Sequence, residues 1–172
     1  AAKEIKNNIY GERLVLFAPL YLSNKCKNDC LYCGFRKSNL ISNRKTLTFE
    51  EIKKETEVLI SKGHKRLLVV AGESVDIDYI VQAVEVIYSV KIGNGEIRRI
   101  NVNIAPLEVK EFRKLKQSNI GTYQLFQETY HFDTYKKMHL SGPKSDFYFR
   151  LSGIDKALQS GIDDVGIGIL FG

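Results

Sequence analysis

The segment KRLLVVAGESVDIDYIVQAVEVIYSVKIGNGEIRRINVNIA, residues 65–105, decides the fold class. It contains a near-continuous apolar run at 65–72, an amphipathic stretch at 76–91 and a second strand-like run at 96–105. Apolar strands separated by helices are typical of parallel sheets, whose strands are joined by right-handed crossovers. The segment therefore predicts a strand, a helix and a strand of an α/β protein.

The same alternation continues on both sides of this segment. Thr48 and Glu51 resemble a capping box, and Gly63 lies where a helix usually stops. A long loop with Gly142 and Pro143 follows the fourth strand. The further strands are predicted at 13–23, 121–128 and 163–172, and the further helices at 48–64, 107–119 and 146–161.

Five such strands fit two architectures. One is an open doubly wound sheet, and the other is a (β/α)8 barrel, which needs about 250 residues. The 172 residues start without Met and stop on a strand, so we expect the chain to be part of a longer protein.

Composition narrows the functional classes. The formal charge is +6, with bases scattered among acids, which favours an ordinary solvated surface and only weakly supports a nucleic-acid partner. The sequence has no apolar stretch of about 18 residues, and its charged start is unlike a secretory signal, so we expect a cytoplasmic protein that does not span a membrane.

Three cysteines lie on the loop after the first strand, at Cys26, Cys30 and Cys33. This loop is at the carboxyl edge of the sheet, where α/β proteins build their active sites. Three thiolates suit zinc or an iron-sulfur cluster. A structural zinc site would need His64, His131 or His139 as a fourth ligand, whereas a cluster would keep one iron open for a cofactor. A zinc or redox-relay protein without catalysis therefore stays an alternative.

The segment CKNDCLYC, with aromatic Tyr32 before the last cysteine, resembles the C-x3-C-x2-C signature of the radical S-adenosylmethionine (SAM) superfamily. The resemblance implies that residues 1–172 form the first part of an incomplete TIM-type barrel of about five β/α units. It also implies that Cys26, Cys30 and Cys33 hold a catalytic 4Fe-4S cluster whose open iron binds SAM.

Other motifs of that family recur at successive strand ends. The segment AGE resembles its G-G-E element, with Ala71 replacing the first glycine, which assigns Gly72 and Glu73 to the amino group of SAM. The resemblance further implies that Glu128 binds the ribose, that Arg150 pairs with the methionine carboxylate, and that Ile169 packs against the adenine.

The family's chemistry also implies a partner. One electron cleaves SAM to methionine and a 5'-deoxyadenosyl radical, which takes hydrogen from the substrate. A low-potential donor such as a ferredoxin or flavodoxin would supply that electron. The base-rich stretch 36–45 could cover the cluster or receive the donor, although plain solvation is the simpler interpretation.

Within the superfamily, GHKRLLVVAGE, EIRRINVNIAPL and GIDDVGIG resemble the tyrosine lyases, which split L-tyrosine into p-cresol and dehydroglycine. One branch serves FeFe-hydrogenase maturation and makes carbon monoxide and cyanide at an auxiliary cluster of a C-terminal domain. The other is the 2-iminoacetate synthase of thiamine biosynthesis. GHKR, RRINVN and GIDDVGIG favour the maturase, although a different substrate such as RNA stays open. The three cysteines leave none for the auxiliary cluster, so that domain is expected outside this chain.

Substrate contacts are predicted less directly. Asn101 and Asn103 alternate with apolar residues, so both amides should point to one face of the third strand, either toward tyrosine or bonded to nearby backbone. His131 is a candidate acid-base group, as is His139, but surface positions are the favoured interpretation for both.

Overall fold

A computed structural model describes residues 1–171. Its main element is a five-stranded parallel sheet in the order β1-β2-β5-β6-β7, and a separate two-stranded hairpin is formed by β3 and β4. The strands are β1 (Ala18–Ser23), β2 (Arg66–Ala71), β3 (Lys91–Ile92), β4 (Gly95–Glu96), β5 (Arg99–Asn103), β6 (Tyr123–Glu128) and β7 (Val165–Ile169). The helices are α1 (Ala2–Tyr10), α2 (Phe49–Ser61), α3 (Ile77–Ser89), α4 (Val109–Gln117), α5 (Phe132–Met138), α6 (Phe147–Leu151) and α7 (Gly153–Gln159), with a 3-10 turn at Pro143–Ser145.

The strand order confirms the predicted α/β class and the predicted incomplete barrel, and it rules out the doubly wound alternative. Each parallel strand lies beside the one before it in the chain, without the reversal of a doubly wound sheet. Helices α2, α3, α4 and α7 pack in a row along one face. Residues such as Val69, Val102 and Leu125 point toward these helices and are buried, while the alternating residues face the concave side. The sheet is therefore a segment of a (β/α) barrel.

Local signals explain where the long helices begin. The Thr48 hydroxyl accepts a hydrogen bond from Glu51 N, and the Glu51 carboxylate accepts one from Thr48 N, so the predicted capping box is present. Gly63 follows the end of α2 with φ of 87°, a left-handed conformation that favours glycine. At the start of α3, the Asp76 side chain accepts a hydrogen bond from Tyr79 N at 2.9 Å and caps the helix.

Several predicted boundaries were wrong. The strand predicted at 13–23 begins at Ala18, since Leu14 and Leu16 are exposed and unpaired to the sheet. The predicted strand 96–105 is split into β4, in the hairpin, and β5. The helix predicted at 146–161 is divided into α6 and α7, next to Gly153, where a Cβ would come within 2.8 Å of Pro106 and Leu125.

The long loop predicted after β6 contains a helix that sequence reasoning missed. Helix α5 has seven residues and is capped by the His131 ring, whose Nδ1 accepts from Thr134 N. Among residues 1–171, no helix combines the length and the apolar character needed to cross a bilayer.

Candidate functional site

The three cysteines open onto one cavity at the carboxyl ends of the strands. Cys26, Cys30 and Cys33 are free thiols on the loop 24–45, which we call the cysteine loop. They line a cavity of about 230 Å³, the cysteine cavity, together with the ends of β2, β5 and β6. The site therefore lies where parallel barrels place their chemistry.

The three thiols differ in their hydrogen bonds and in their burial. Asn28 N lies 3.5 Å from the Cys26 sulfur and Phe35 N lies 3.4 Å from the Cys33 sulfur, so each sulfur accepts a backbone hydrogen bond. Cys30 is buried, and burial raises the pKa of its thiol to about 11. A bound metal cation would counter this effect of burial on Cys30, because a coordinated thiol gives up its proton.

The cysteine loop is held in shape by one arginine. The Arg44 guanidinium donates to four backbone carbonyls, at distances of 2.6 to 3.1 Å. These carbonyls belong to Asn24, Phe35, Arg36 and Asn39. A fork of donors that joins both ends of the loop fixes its conformation before any ligand binds.

A second segment, 138–145, packs against the cysteine loop. Leu31 N donates to Met138 O, and Asp29 N donates to Ser141 O, both at 3.0 Å. At Gly142, with φ of 90°, a Cβ would lie 2.6 Å from the Asn28 side chain. This close approach requires glycine and explains the G-P turn noticed in the sequence.

His139 is buried in this segment, which corrects its predicted surface position. Its Nε2 lies 2.7 Å from the Tyr32 hydroxyl, and its Nδ1 lies 2.8 Å from Tyr135 O. Burial lowers the pKa of His139 to about 4, so the ring is neutral at pH 7. The pKa of the Tyr32 hydroxyl is raised above its usual value, and burial is the main cause. Both nitrogens of His139 are engaged, and neither faces the thiols as a ligand.

Glu73 and Arg150 form a buried ion pair on the wall of the cysteine cavity. Arg150 Nη1 lies 2.7 Å from Glu73 Oε1, and Arg150 Nε donates to Phe126 O at 2.9 Å. Burial opposes the charge on Glu73, but Arg150 and Lys144 outweigh it, so the pKa of Glu73 is lowered. Glu73 therefore faces the cavity as a carboxylate with a fixed orientation.

Asn28 joins this ion pair to the cysteine loop, a contact that sequence reasoning missed. Its Nδ2 donates to Glu73 Oε2 at 2.7 Å, and its Oδ1 accepts from Lys144 N at 2.8 Å. Asn28 is 1% exposed. Its place within the C-x3-C spacing was the available signal, but that spacing alone does not reveal its partners.

Lys144 was also missed and supplies a buried cation. Its Nζ lies 3.3 Å from Glu128 Oε1 and 5.6 Å from the centre of the Tyr32 ring. Glu128, where the pairing register between β6 and β7 shifts, has φ of 68°, which is unusual for a residue other than glycine. That backbone directs its carboxylate into the cavity.

Gly72 has a packing role beside the cavity. A Cβ at this position would lie 2.3 Å from Lys25 O, so the end of β2 approaches the cysteine loop more closely than any other residue type permits. Gly72 N donates to Ser23 O at 2.8 Å and extends the pairing of β2 with β1 by one bond. The preceding Ala71 is buried, and the departure from G-G-E leaves this geometry intact.

The remaining predicted residues divide between the cysteine cavity and other places. Asn103 lines the cavity and donates to Gln124 O at 3.1 Å. Asn101 shares its face but lines a second cavity of about 870 Å³ at the amino end of the strands, where it accepts from Thr122 N. His131 caps α5 outside the cysteine cavity, and Ile169 is half exposed on β7.

The donor set fits a three-thiolate cluster better than a closed zinc site. Three sulfurs line the cysteine cavity, and His139 is turned away from them. Within residues 1–171, no three His, Cys, Asp or Glu side chains form a ready site for a single metal ion. The polar groups around the thiols, above all Glu73, Glu128 and Asn103, instead match a ligand with an amino group and hydroxyls.

Comparison with known proteins gives a consistent picture. The family model described as Radical SAM superfamily matches residues 20–172. The chain is 36% identical over 174 residues to the 2-iminoacetate synthase of Escherichia coli (strain K12), an alignment that covers 99% of this chain and 44% of that protein.

Two solved structures are similar over the same region. A crystal structure of HydG, a maturase of the FeFe-hydrogenase, has a TM-score of 0.96 and 55% identity, and covers 99% of this chain and 38% of that one. The maturase HydG from Carboxydothermus hydrogenoformans has a TM-score of 0.90 and 48% identity, with 99% and 40% covered. The chain thus spans less than half the length of these relatives.

Proposed function

The chain belongs to the radical SAM superfamily, and from this premise we propose that it carries the cofactor-binding part of a tyrosine lyase. The reaction would split the Cα–Cβ bond of L-tyrosine to give p-cresol and dehydroglycine. Family membership confirms the predicted cofactors, a 4Fe-4S cluster and SAM. One observation carries the proposal: three thiols, the Glu73–Arg150 pair and Glu128 all line one cavity.

In this proposal the cysteines hold the cluster and the neighbouring side chains bind SAM. The bound cluster supplies the electron that breaks a carbon–sulfur bond of SAM and starts the radical reaction. Glu73, held ionised by Arg150, accepts a hydrogen bond from the amino group of the methionine part. Arg150, already paired with Glu73 through Nη1, would direct its remaining N–H groups to the incoming carboxylate.

Glu128 would accept from the ribose hydroxyls, since its backbone turns the carboxylate into the cysteine cavity. Ile169 would pack against the adenine from the end of β7. Tyr32 would cover the cluster from the side of His139. Of the three residues predicted to contact substrate, Asn103 is the one that lines the cysteine cavity, and we propose it as a tyrosine contact.

We favour the hydrogenase maturase over the 2-iminoacetate synthase. Identity to the HydG structures is 55% and 48%, against 36% for the synthase. Carbon monoxide and cyanide synthesis would need the remaining barrel strands and a C-terminal domain with its own cysteines, outside residues 1–172. A ferredoxin or flavodoxin would supply electrons in the cytoplasm.

The experiment that tests the proposal uses the full-length protein, reconstituted with iron and sulfide without oxygen. Incubation with L-tyrosine, SAM and dithionite is expected to release p-cresol, measured by chromatography. Carbon monoxide, trapped by deoxyhaemoglobin, would then favour the maturase, and its absence the synthase. Cleavage of SAM without p-cresol would reject the tyrosine lyase and leave another substrate, such as RNA.

The zinc alternative is tested at the cysteines. Cys30→Ala is expected to lose the iron and the brown colour of the cluster, because two thiolates rarely hold such a cluster, while the neighbouring control Leu31→Ala retains both. A colourless wild-type protein with one zinc ion would instead support a structural site and contradict the proposal.

A further inference from the structure

The net charge of the chain is concentrated on the cysteine loop. Residues 24–45 contain six of the 26 Lys and Arg residues but one of the 20 Asp and Glu residues, so the loop contributes +5 of the formal charge of +6. Outside the loop, the remaining 20 Lys and Arg residues are nearly balanced by 19 Asp and Glu residues. The six bases are Lys25, Lys27, Arg36, Lys37, Arg44 and Lys45.

The positive charge is barely compensated by nearby acids. Of the six bases, Lys45 is the one that forms an ion pair with a carboxylate within residues 1–171, and its partner Glu51 is on α2. Lys25, Lys27 and Lys37 are exposed. Asn24 N donates to Lys45 O at 3.1 Å and joins the two ends of the loop, and Lys37 N donates to Asn28 O at 2.8 Å between its two halves. The loop therefore exposes several positive charges that no carboxylate of the described residues pairs with.

Two aliphatic side chains project from the tip of this surface. Leu40 is 91% exposed and Ile41 is 96% exposed. The backbone beneath them is ordered by side chains, because Asn39 Nδ2 donates to Gly34 O at 2.9 Å and Asn39 Oδ1 accepts from Ile41 N at 3.3 Å. An ordered pair of exposed apolar residues with a charged rim is the anatomy of a protein interface.

We propose that the outer face of the cysteine loop, defined by Lys25, Lys37, Leu40 and Ile41, is the docking surface for a small acidic electron-transfer protein. Opposite charges would speed and orient the encounter, and the aliphatic tip would supply the apolar centre. Nucleic acid is the less suitable partner, because aliphatic side chains offer no aromatic platform for the stacking of bases.

The position of the surface suits electron transfer. The Arg36 guanidinium, on the same loop, donates to the carbonyl of Cys33 at 3.2 Å, so the basic surface adjoins a cluster ligand. One electron leaves the partner, which is oxidised, and enters the group held by the cysteines, which is reduced; no bond or proton changes place. This inference rests on the proposed function for its need of an electron.

Binding to immobilised flavodoxin, an acidic probe, tests the surface in the full-length protein. Lys25→Glu with Lys37→Glu is expected to weaken binding at least tenfold at low salt, and much less in 0.5 M NaCl, where charges are screened. Leu40→Ser with Ile41→Ser should weaken it about fivefold at both salt concentrations. Lys53→Glu with Lys54→Glu, the same charge change on α2, is the matched control and should stay within twofold.

The rate of cluster reduction provides a second measurement. Reduced flavodoxin should reduce the Lys25→Glu, Lys37→Glu variant at least tenfold more slowly than the wild type, while dithionite, which needs no docking, should reduce both within twofold. Unchanged binding by both loop variants would overturn the proposal and indicate that other parts of the full-length chain cover the tip. An equal slowing with dithionite would overturn it as well, since the charges would then support the cluster itself.

Two further outcomes separate the alternatives. Single-stranded RNA could bind the wild type but not the charge variant, while both proteins bind flavodoxin equally. The surface would then be a nucleic-acid binding site, and the proposal would fail. Neither flavodoxin measurement requires tyrosine cleavage. Absence of p-cresol with normal flavodoxin docking would therefore reject the proposed function alone.

Discussion

Individual side chains prepare the cysteine cavity before a ligand binds. Asn28 holds one oxygen of Glu73 and Arg150 holds the other. Arg150 is buried and the Glu73 side chain is mostly shielded from water, so their charges depend on each other and on these hydrogen bonds. A carboxylate oriented by two donors can accept from a ligand amino group without rearrangement, which lowers the cost of binding.

Asn28→Ala should weaken SAM binding about tenfold or more without loss of iron. The lost bond ends on a charged group, and such bonds contribute about 1.5–3 kcal/mol. Asn28→Asp should be worse, since it places a second carboxylate against Glu73. Equilibrium dialysis with SAM and iron analysis give the two readouts. Asp29→Ala, whose lost side-chain bonds go to exposed Ser38, is the control; equal affinity in the Asn28 and Asp29 variants would contradict the role.

Helices are joined to the sheet through specific contacts at their ends. The Tyr79 hydroxyl, on α3, donates to Leu47 O at 2.8 Å, and its ring stacks on Phe49 of α2 with centroids 5.5 Å apart. Leu47 N in turn donates to Leu22 O of β1 at 2.8 Å. Tyr79 therefore connects two helices to the strand that leads into the cysteine loop.

The hydroxyl of Tyr79 should make stability fall at high pH. Burial raises the pKa of Tyr79 from 10.0 to about 12. Because the folded pKa is above the unfolded value, the stabilising contribution is complete below pH 10 and is lost as pH rises toward 12. Tyr79→Phe should lower stability by about 1 kcal/mol at pH 8 and weaken the decline above pH 10. Urea unfolding at pH 8, 10 and 11 measures both, and an identical decline in the two proteins would exclude this account.

The capping box of α2 gives a second test at the level of the element. Thr48→Ala should cost about 1 kcal/mol, or about 2–4 °C in Tm for a domain of this size, because Glu51 N loses its acceptor. Ser61→Ala, at the other end of α2, removes a hydroxyl bonded to Glu57 O and should have little effect. Thermal unfolding, monitored by circular dichroism, measures Tm for both variants. Equal shifts in Tm would refute the role of the cap.

The described molecule is an open segment of a barrel with two sheet edges, β1 and β7. Ile167 on β7 is 67% exposed, and Phe171 beyond it is 87% exposed. The concave face, which carries the cysteine cavity, is therefore open along its sides. An unpaired apolar edge is a template for another strand.

The isolated 172-residue chain should self-associate through β7. Ile167→Lys places a charge on the edge and should shift the population toward monomer in sedimentation velocity. Val58→Lys, the same kind of change at a half-exposed site on α2, should leave association unchanged. A monomeric wild-type chain would show that the open edge does not pair.

The sequence by itself determined the order of the principal strands and helices, the parallel sheet and the cysteine site. These follow from local information: apolar runs at 65–72 and 121–128, the Thr48–Glu51 spacing, and three cysteines on eight consecutive positions. It also led to Glu73, Glu128 and Arg150 through resemblance to a family. Helix α5 was missed, and the division of the helix predicted at 146–161 into α6 and α7 was not foreseen, because such short patterns carry little periodicity.

The tertiary structure decided everything that depends on residues distant in sequence. Asn28 meets Glu73 across 45 positions, Tyr32 meets His139 across 107, and Lys144 meets Asn28 across 116. The buried state of His139 and the separation of Asn101 from Asn103 into two cavities have the same origin. Periodicity reports which face of an element is buried, whereas the identity of the partner on that face is set by packing of the whole chain.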